Sequence, residues 1–220
     1  MLTVALTGGI GSGKTAVTEI FRQLGHGQGL EIIDSDSIAR NLLAGNLEQS
    51  PSEALLAVYD LFGSELFDNT GPGTRQLNRG KLRERVFSSK TKKKLLEELL
   101  HPLVYQEIFS RIAEFRRAKQ LINIVIIAVP LLFETHSEKR FDRVLVIDVP
   151  EKLQIKRSMQ RDQCSRELIE QIVNSQVSRQ TRLSKADDVI NNAGTLSELQ
   201  EQANKMYQFY CSLAKNIPQA

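Results

Sequence analysis

Short apolar runs alternate with amphipathic segments along most of this chain. Five of these runs predict strands, most of them buried on both faces of a sheet: Leu2–Thr7, Leu30–Ile33, Leu121–Val129, Arg143–Val149 and Val189–Ile190. Between them, segments such as Lys14–Leu24 repeat their apolar residues every three or four positions, which indicates helices. Strands that alternate with helices predict an α/β fold, with a parallel sheet flanked by helices.

Residues 45–120 break this alternation. Their spacing predicts three long helical segments, Glu53–Phe62, Lys81–Phe87 and Lys92–Lys119, with a loop at Asp68–Gly73. This is too much helix for one crossover connection, so we predict an inserted helical subdomain at 45–120.

The rest of the chain divides around that insertion. Residues 1–44, 121–150 and 181–220 are predicted to form the core, which closes with a helix at Leu196–Ala214. Two successive helices, Glu151–Asp162 and Arg166–Ser178, predict a helical lid at 151–180.

A glycine-rich loop follows the first strand directly. Residues 8–15 read Gly-Gly-Ile-Gly-Ser-Gly-Lys-Thr and match the phosphate-loop pattern G-x-x-x-x-G-K-[ST]. Glycines let several backbone N–H groups face phosphate oxygens, and the helix that follows adds the positive end of its dipole. Gly9–Thr15 is thus predicted to bind a nucleoside triphosphate, with Lys14 at the β- and γ-phosphates and the Thr15 hydroxyl on Mg²⁺. A glycine-rich turn that binds nothing is the alternative.

The composition restricts the expected partners and location of the protein but does not indicate an activity. The 220 residues carry a net charge of +3, with no strongly basic tail and no aromatic-rich RNA-reading motif, so no nucleic-acid partner is predicted. The longest apolar stretch, Leu121–Phe133, is about half a membrane span, so no membrane partner is predicted either. Cys164 and Cys211 lie far apart, which suits a reducing, cytoplasmic location.

Two carboxylates follow the second strand. Asp34 and Asp36 are two residues apart, so on extended chain they point the same way, toward the functional edge of the sheet. One of them can accept a proton from a hydroxyl while the other positions Mg²⁺ or substrate. Alternatively, Asp36 only caps the helix that follows.

Two arginines share a face of the first predicted lid helix. Arg157 and Arg161 are four residues apart, and guanidinium groups there can neutralise charge on ATP phosphates. A solvated basic face is an equally good interpretation of the spacing alone.

The loop itself leaves three classes open: a small-molecule kinase, a switch GTPase, and a motor or nucleic-acid ATPase. The best match to a guanine-reading Asn-Lys-x-Asp is Asn204–Tyr207, which lacks the aspartate and lies in a predicted helix. The strand that ends at Val129 is followed by Pro130 and carries no terminal acid of the kind a motor ATPase shows. Both patterns favour the kinase.

The whole chain closely resembles the dephospho-coenzyme A kinase family of phosphate-loop kinases. The resemblance rests on the order and spacing of its motifs: Leu6–Lys14, Asp34–Asp36 with Ile38–Arg40, Arg79 with Leu82 and Phe87, His101–Pro102, Pro130–Glu134 and Asp187–Asn192. It implies ATP-dependent phosphorylation of the ribose 3′-hydroxyl of dephospho-coenzyme A. One departure is Ala128, where many members carry an acid.

The resemblance also implies residue roles. Asp36 is the expected general base, with Lys14 and the lid arginine Arg157 as catalytic partners, and Arg161 matches a second family arginine. Asn192 falls near the expected adenine site.

The substrate site is expected to include four residues: Asp34, Asp36, Arg79 and His101. A structural role for His101 beside Pro102 is equally plausible. A monomer or weak homo-oligomer is expected.

Two rival functions remain. Shikimate kinase also pairs a phosphate loop with an Asp-x-Asp, but that family has a triple glycine where this chain has Val129–Pro130. The second rival is a non-enzymatic, ATP-dependent regulatory module.

Overall fold

A computed structural model describes residues 1–87, 89–118 and 122–217. The chain divides into two compact units. The first comprises Met1–Asp34 together with the chain from Ile112 onward, and the second comprises Ser35–Arg111.

The described residues form seven strands and nine α-helices. The strands are β1 (Leu2–Thr7), β2 (Leu30–Asp34), β3 (Phe67–Gly71), β4 (Thr74–Leu77), β5 (Ile124–Ala128), β6 (Arg143–Asp148) and β7 (Asp188–Asn191). The helices are α1 (Lys14–Gly25), α2 (Ser35–Leu42), α3 (Glu53–Phe62), α4 (Arg79–Phe87), α5 (Lys90–Arg117), α6 (Glu151–Asp162), α7 (Arg166–Ser175), α8 (Arg179–Ser184) and α9 (Leu196–Lys215).

The first unit is built on a five-stranded sheet in the order β2-β5-β1-β6-β7. Every neighbouring pair is parallel, which confirms the predicted α/β class. All six residues of β1 are buried, as expected for a central strand covered on both faces. Parallel pairing brings the carboxyl ends of the strands to one edge, where β1 leads into the glycine loop.

The core of the first unit lies between the sheet and the helices α1 and α9. Phe21 of α1 and Tyr210 of α9 are fully buried, and their rings stack with centroids 6.4 Å apart. They pack in one apolar cluster with sheet residues such as Leu6, Ile126 and Leu145. α9 begins with a capping box in which Thr195 and Glu198 satisfy each other's backbone N–H groups.

The second unit has its own apolar cluster. Leu55, Val58 and Phe62 of α3 pack with Leu66 and Leu82, and all five are buried. Ser52 begins α3 by accepting a hydrogen bond from the N–H of Leu55 at 3.0 Å.

Two predicted elements are wrong. The loop predicted at Asp68–Gly73 is instead a hairpin, with β3 paired antiparallel to β4 around a turn at residues 72–73. Its strands are short and mostly polar, so they lack the apolar alternation that would have revealed them. The helix predicted at Arg166–Ser178 ends at Ser175, because Gln176 is extended and Ser178 caps a new helix, α8.

Two predicted boundaries fall on residues that the structure does not describe. Lys119, the predicted end of the long helix, and Leu121, the predicted start of a strand, lie outside the described residues. Within the described ranges, no helix combines the length and apolarity needed to cross a bilayer.

A partly buried polar cluster joins β6, β7 and α9. Arg143 donates to both carboxylate oxygens of Asp188, at 2.8 and 3.0 Å, and the Tyr210 hydroxyl donates to the same carboxylate at 2.9 Å. Burial raises the pKa of Tyr210, so its hydroxyl keeps the proton that it donates.

Replacing Tyr210 by Phe is expected to lower the free energy of unfolding by about 1.5 kcal/mol or more, because a buried hydrogen bond to a charged group is lost. The control is Tyr207→Phe, one turn earlier in α9, whose hydroxyl contacts only the weakly bonding thiol of Cys211 among the described partners. Urea denaturation followed by circular dichroism measures both. Equal losses would contradict a special role for the Asp188 cluster.

Candidate active site

The glycine loop joins β1 to α1, as predicted. Gly11 and Gly13 have φ angles of 68° and 90°, a region that glycine occupies without strain. A Cβ atom at Gly9 would come within 2.6 Å of Gln154 Oε1, and one at Gly11 within 2.6 Å of Ser158 Oγ. Glycine at these positions therefore lets the loop pack directly against α6.

Lys14 lies at the start of α1 and folds over the loop. Its Nζ donates hydrogen bonds to the carbonyls of Gly8 at 2.7 Å and Gly9 at 3.0 Å. The helix has Gly13 as its N-cap and no side-chain cap, so a bound anion can take the place of a capping group. Thr15 is exposed in the first turn, where its hydroxyl is open to a cation.

A side chain from the end of β7 holds the far half of the loop. Asn192 is buried, and its Nδ2 donates to the carbonyl of Ser12 at 2.8 Å. Arg157 of α6 donates in turn to the backbone carbonyl of Asn192, also at 2.8 Å. The structure thus brings two predicted site residues, Arg157 and Asn192, to the loop. Their proposed contacts with phosphates and adenine stay predictions.

The second predicted lid arginine is placed differently. Arg161 is exposed, and its guanidinium makes two hydrogen bonds to the carboxylate of the adjacent Asp162, at 2.8 and 2.7 Å. An exposed pair of this kind contributes little to stability, so the arginine can exchange its partner for a phosphate. Its role stays a prediction.

The two predicted acids lie on either side of the boundary between the units. Asp34 is the last residue of β2 and pairs in register with Ala128 of β5, which also pairs with Leu6 of β1. Asp34 therefore lies at the same edge of the sheet as the glycine loop, which begins two residues after Leu6. Asp36 is exposed in the first turn of α2.

The two other predicted substrate residues lie in the second unit. Arg79 is exposed at the start of α4 and donates to the carbonyl of Arg40 at 2.8 Å. His101 is half-buried in α5, and burial lowers the pKa of its imidazole despite the opposing charge of Glu97. His101 is therefore neutral at pH 7 and offers a hydrogen bond rather than a positive charge.

Sequence reasoning missed the polar residues that surround the loop. Gln154 and Ser158 are buried one turn apart on α6, and Gln154 Oε1 and Ser158 Oγ have no partner among the described residues. Ser12 Oγ, in the loop itself, shares this property. In sequence these residues belong to a strongly polar helix, and their burial depends on the loop that packs against them. Only their spacing of four could have suggested a shared face.

The junction of α7 and α8 also reaches the loop, and nothing in the sequence had indicated it. The N–H of Ile10 donates to Gln176 Oε1 at 3.0 Å. Arg182 is 6% exposed, and its guanidinium lies within 2.9 Å of a Cβ built on Gly9. Gln154, Gln176 and Arg182 line a cavity of about 200 Å³ at this junction.

Acidic groups surround the buried guanidinium. Burial lowers the pKa of Arg182, while Glu134, Asp148 and Glu151 favour its charged form. Asp148, buried at the end of β6, is held by two hydrogen bonds from Arg179 at 2.8 and 2.7 Å. The cluster compensates the charge of Arg182 and fixes α8 against the edge of the sheet where the loop lies.

Known proteins match this chain over most of its length. The family model described as dephospho-CoA kinase matches residues 2–198. A dephospho-CoA kinase from Colwellia psychrerythraea is 42% identical over 217 residues and covers 98% of each chain. One from Idiomarina loihiensis is 38% identical over 216 residues, covering 98% of this chain and 97% of its own.

Solved structures agree with the fold. The structure of a dephospho-CoA kinase from Campylobacter jejuni superposes with a TM-score of 0.65 at 25% identity and covers 97% of both chains. A gluconokinase from Sinorhizobium meliloti reaches a TM-score of 0.51 at 13% identity, which shows a shared fold alone. The prediction of an ATP-dependent enzyme that phosphorylates dephospho-CoA is confirmed by the family match. This chain belongs to the dephospho-CoA kinase family.

Proposed function

We propose that the chain transfers the γ-phosphoryl group of ATP to the ribose 3′-hydroxyl of dephospho-CoA, with Asp36 as general base. The observation that carries this proposal is the loop at residues 8–15, a glycine cradle with Lys14 folded over its carbonyls. Such a loop supplies the donor half of a phosphoryl-transfer site, because its N–H groups and its lysine neutralise the triphosphate. Arg79 and His101 are proposed to bind the acceptor.

Mg²⁺ is the expected metal of this site. Among the described residues, no cluster of three or more His, Cys, Asp or Glu side chains could hold a metal ion. The Thr15 hydroxyl would therefore hold Mg²⁺ together with phosphate oxygens and water, a pattern common for this ion. Bound there, the ion would neutralise charge on the phosphates, while Asp34 could hold one of its waters.

The acid–base step falls to Asp36. It is exposed, so a substrate hydroxyl can reach it, and a carboxylate is a group that can accept a hydroxyl proton. Asp36 would accept the hydroxyl proton as the oxygen attacks the γ-phosphorus. Arg157 would stabilise the charge that develops on the transferring group, because a guanidinium can contact two oxygens at once.

An acceptor panel tests the reaction. With Mg-ATP, the pure protein is expected to form ADP in proportion to added dephospho-CoA, and to give little ADP with shikimate, gluconate or no acceptor. Coupled ADP detection and mass spectrometry of the product measure this. Turnover of shikimate alone, or ATP hydrolysis regardless of acceptor, would reject the proposal.

Replacing Asp36 by Asn is expected to lower kcat by about 100-fold or more while KM for ATP changes less than about twofold, because a proton acceptor is lost and no phosphate contact is. Asp60→Asn, an equally exposed acid in α3, is the matched control and should retain full kcat. Steady-state kinetics with each substrate varied measures both. Wild-type kcat in Asp36→Asn would refute the role as base.

Replacing Lys14 by Ala is expected to lower kcat/KM for ATP by about 100-fold or more, because the cation at the β- and γ-phosphates is lost. Calorimetry with Mg-ATP should show weaker binding as well. Lys139→Ala removes an exposed lysine far along the chain from the loop and should change neither quantity. Unchanged ATP binding in Lys14→Ala would contradict the interpretation of the loop.

A further inference from the structure

One side chain links the α7–α8 junction to the glycine loop. Gln176 Oε1 accepts a hydrogen bond from the N–H of Ile10 at 3.0 Å. Ile10 stands between Gly9 and Gly11, and glycine leaves its neighbouring peptide planes free to rotate. The Gly9 carbonyl of the same peptide unit accepts from Lys14 Nζ at 3.0 Å, so Gln176 holds the other end of a peptide that the loop itself grips at one end only.

The backbone that carries Gln176 is itself held in place. Gln176 is the C-cap of α7, and its N–H donates to the carbonyl of Val173 at 3.1 Å. The N–H of Val177 donates to Glu134 Oε1 at 3.0 Å, and the carbonyl of Val177 accepts from the guanidinium of Arg182. Because the neighbouring backbone is fixed on both sides, Gln176 loses little further freedom when it binds the loop.

The loop is tied at a second point. Asn192 donates to the carbonyl of Ser12 at 2.8 Å, from the end of β7. The two amide side chains therefore hold the loop on either side of Gly11. Gln176 accepts a hydrogen bond from the loop, and Asn192 donates one to it. With both ends fixed, the N–H groups that follow Gly11 keep one orientation. Donors that are fixed in advance bind an anion more tightly, because they need no reorganisation when it arrives.

We propose that Gln176 is a positioning residue for the phosphoryl donor. Its side-chain oxygen holds the N–H of Ile10, so the glycine loop presents its remaining N–H groups to the triphosphate. The affinity of the loop for ATP is thereby set by the α7–α8 junction. The inference rests on the proposed function only in that the loop binds ATP.

Gln176→Leu tests this link, because it keeps a side chain of similar size and removes the acceptor. KM for ATP and the Kd of Mg-ATP from calorimetry without acceptor are expected to rise by roughly five- to tenfold, the effect of one lost hydrogen bond. KM for dephospho-CoA should stay within about twofold of the wild type. Gln180→Leu, the same change at an exposed position of α8, is the matched control and should leave all three values unchanged.

Gln176→Glu separates positioning from packing. A carboxylate still accepts the Ile10 N–H, but it adds a negative charge beside the loop where the phosphates bind. The Kd for Mg-ATP is expected to rise at low salt and to recover by severalfold as ionic strength increases, because salt screens the repulsion. In Gln176→Leu the rise should not depend on salt.

Three results would overturn the inference. The first is an ATP affinity of Gln176→Leu equal to that of Gln180→Leu. The second is an equal rise in KM for both substrates together with a lower Tm, which marks a structural role alone. The third is a salt-independent effect of Gln176→Glu. A wild-type protein that binds no Mg-ATP would instead reject the proposed function, so the two failures are distinguishable.

Discussion

The site depends on a loop whose backbone must curl tightly around an anion. The close packing of α6 on this loop excludes a Cβ at Gly9 and Gly11, because it would come within 2.6 Å of Gln154 Oε1 and Ser158 Oγ. Glycine meets the steric demand but costs more conformational entropy to order than other residues. Lys14 orders part of the loop from within, and two side chains from outside it add to that order: Asn192 at the Ser12 carbonyl and Gln176 at the Ile10 N–H.

The parallel sheet is what allows distant residues to supply that order. The carboxyl ends of β1, β6 and β7 meet at one edge, so Gly8, Asp148 and Asn192 come together from positions far apart in the chain. Asp148 anchors α8 through Arg179, and Asn192 receives Arg157 from α6. The helices after β6 are therefore fixed to the same edge that carries the phosphate loop, which suits a site where cations must surround a triphosphate.

The strands and helices of the core were predictable because their physical signals are local. β1, α3 and α6 have the predicted bounds, and the glycine loop lies where its motif indicated. The β3–β4 hairpin was missed because its strands are short and mostly polar, so no apolar alternation marked them. The break between α7 and α8 was missed because Gln176 suits a helix by itself, and its extended backbone depends on contacts with Glu134 and Arg182.

The sequence by itself determined the α/β class, the phosphate loop and the residues of the family's motifs, because glycine geometry, apolar runs and motif spacing are properties of neighbouring residues. Tertiary structure alone decided which side chains hold that loop. Gln176 lies 166 positions from Ile10, and Asn192 lies 180 from Ser12. Their contacts follow from the order of strands in the sheet and from the burial of α6 and α8 beside it. The sequence shows where the amide side chains lie along the chain, but it does not show which backbone groups they contact in the fold.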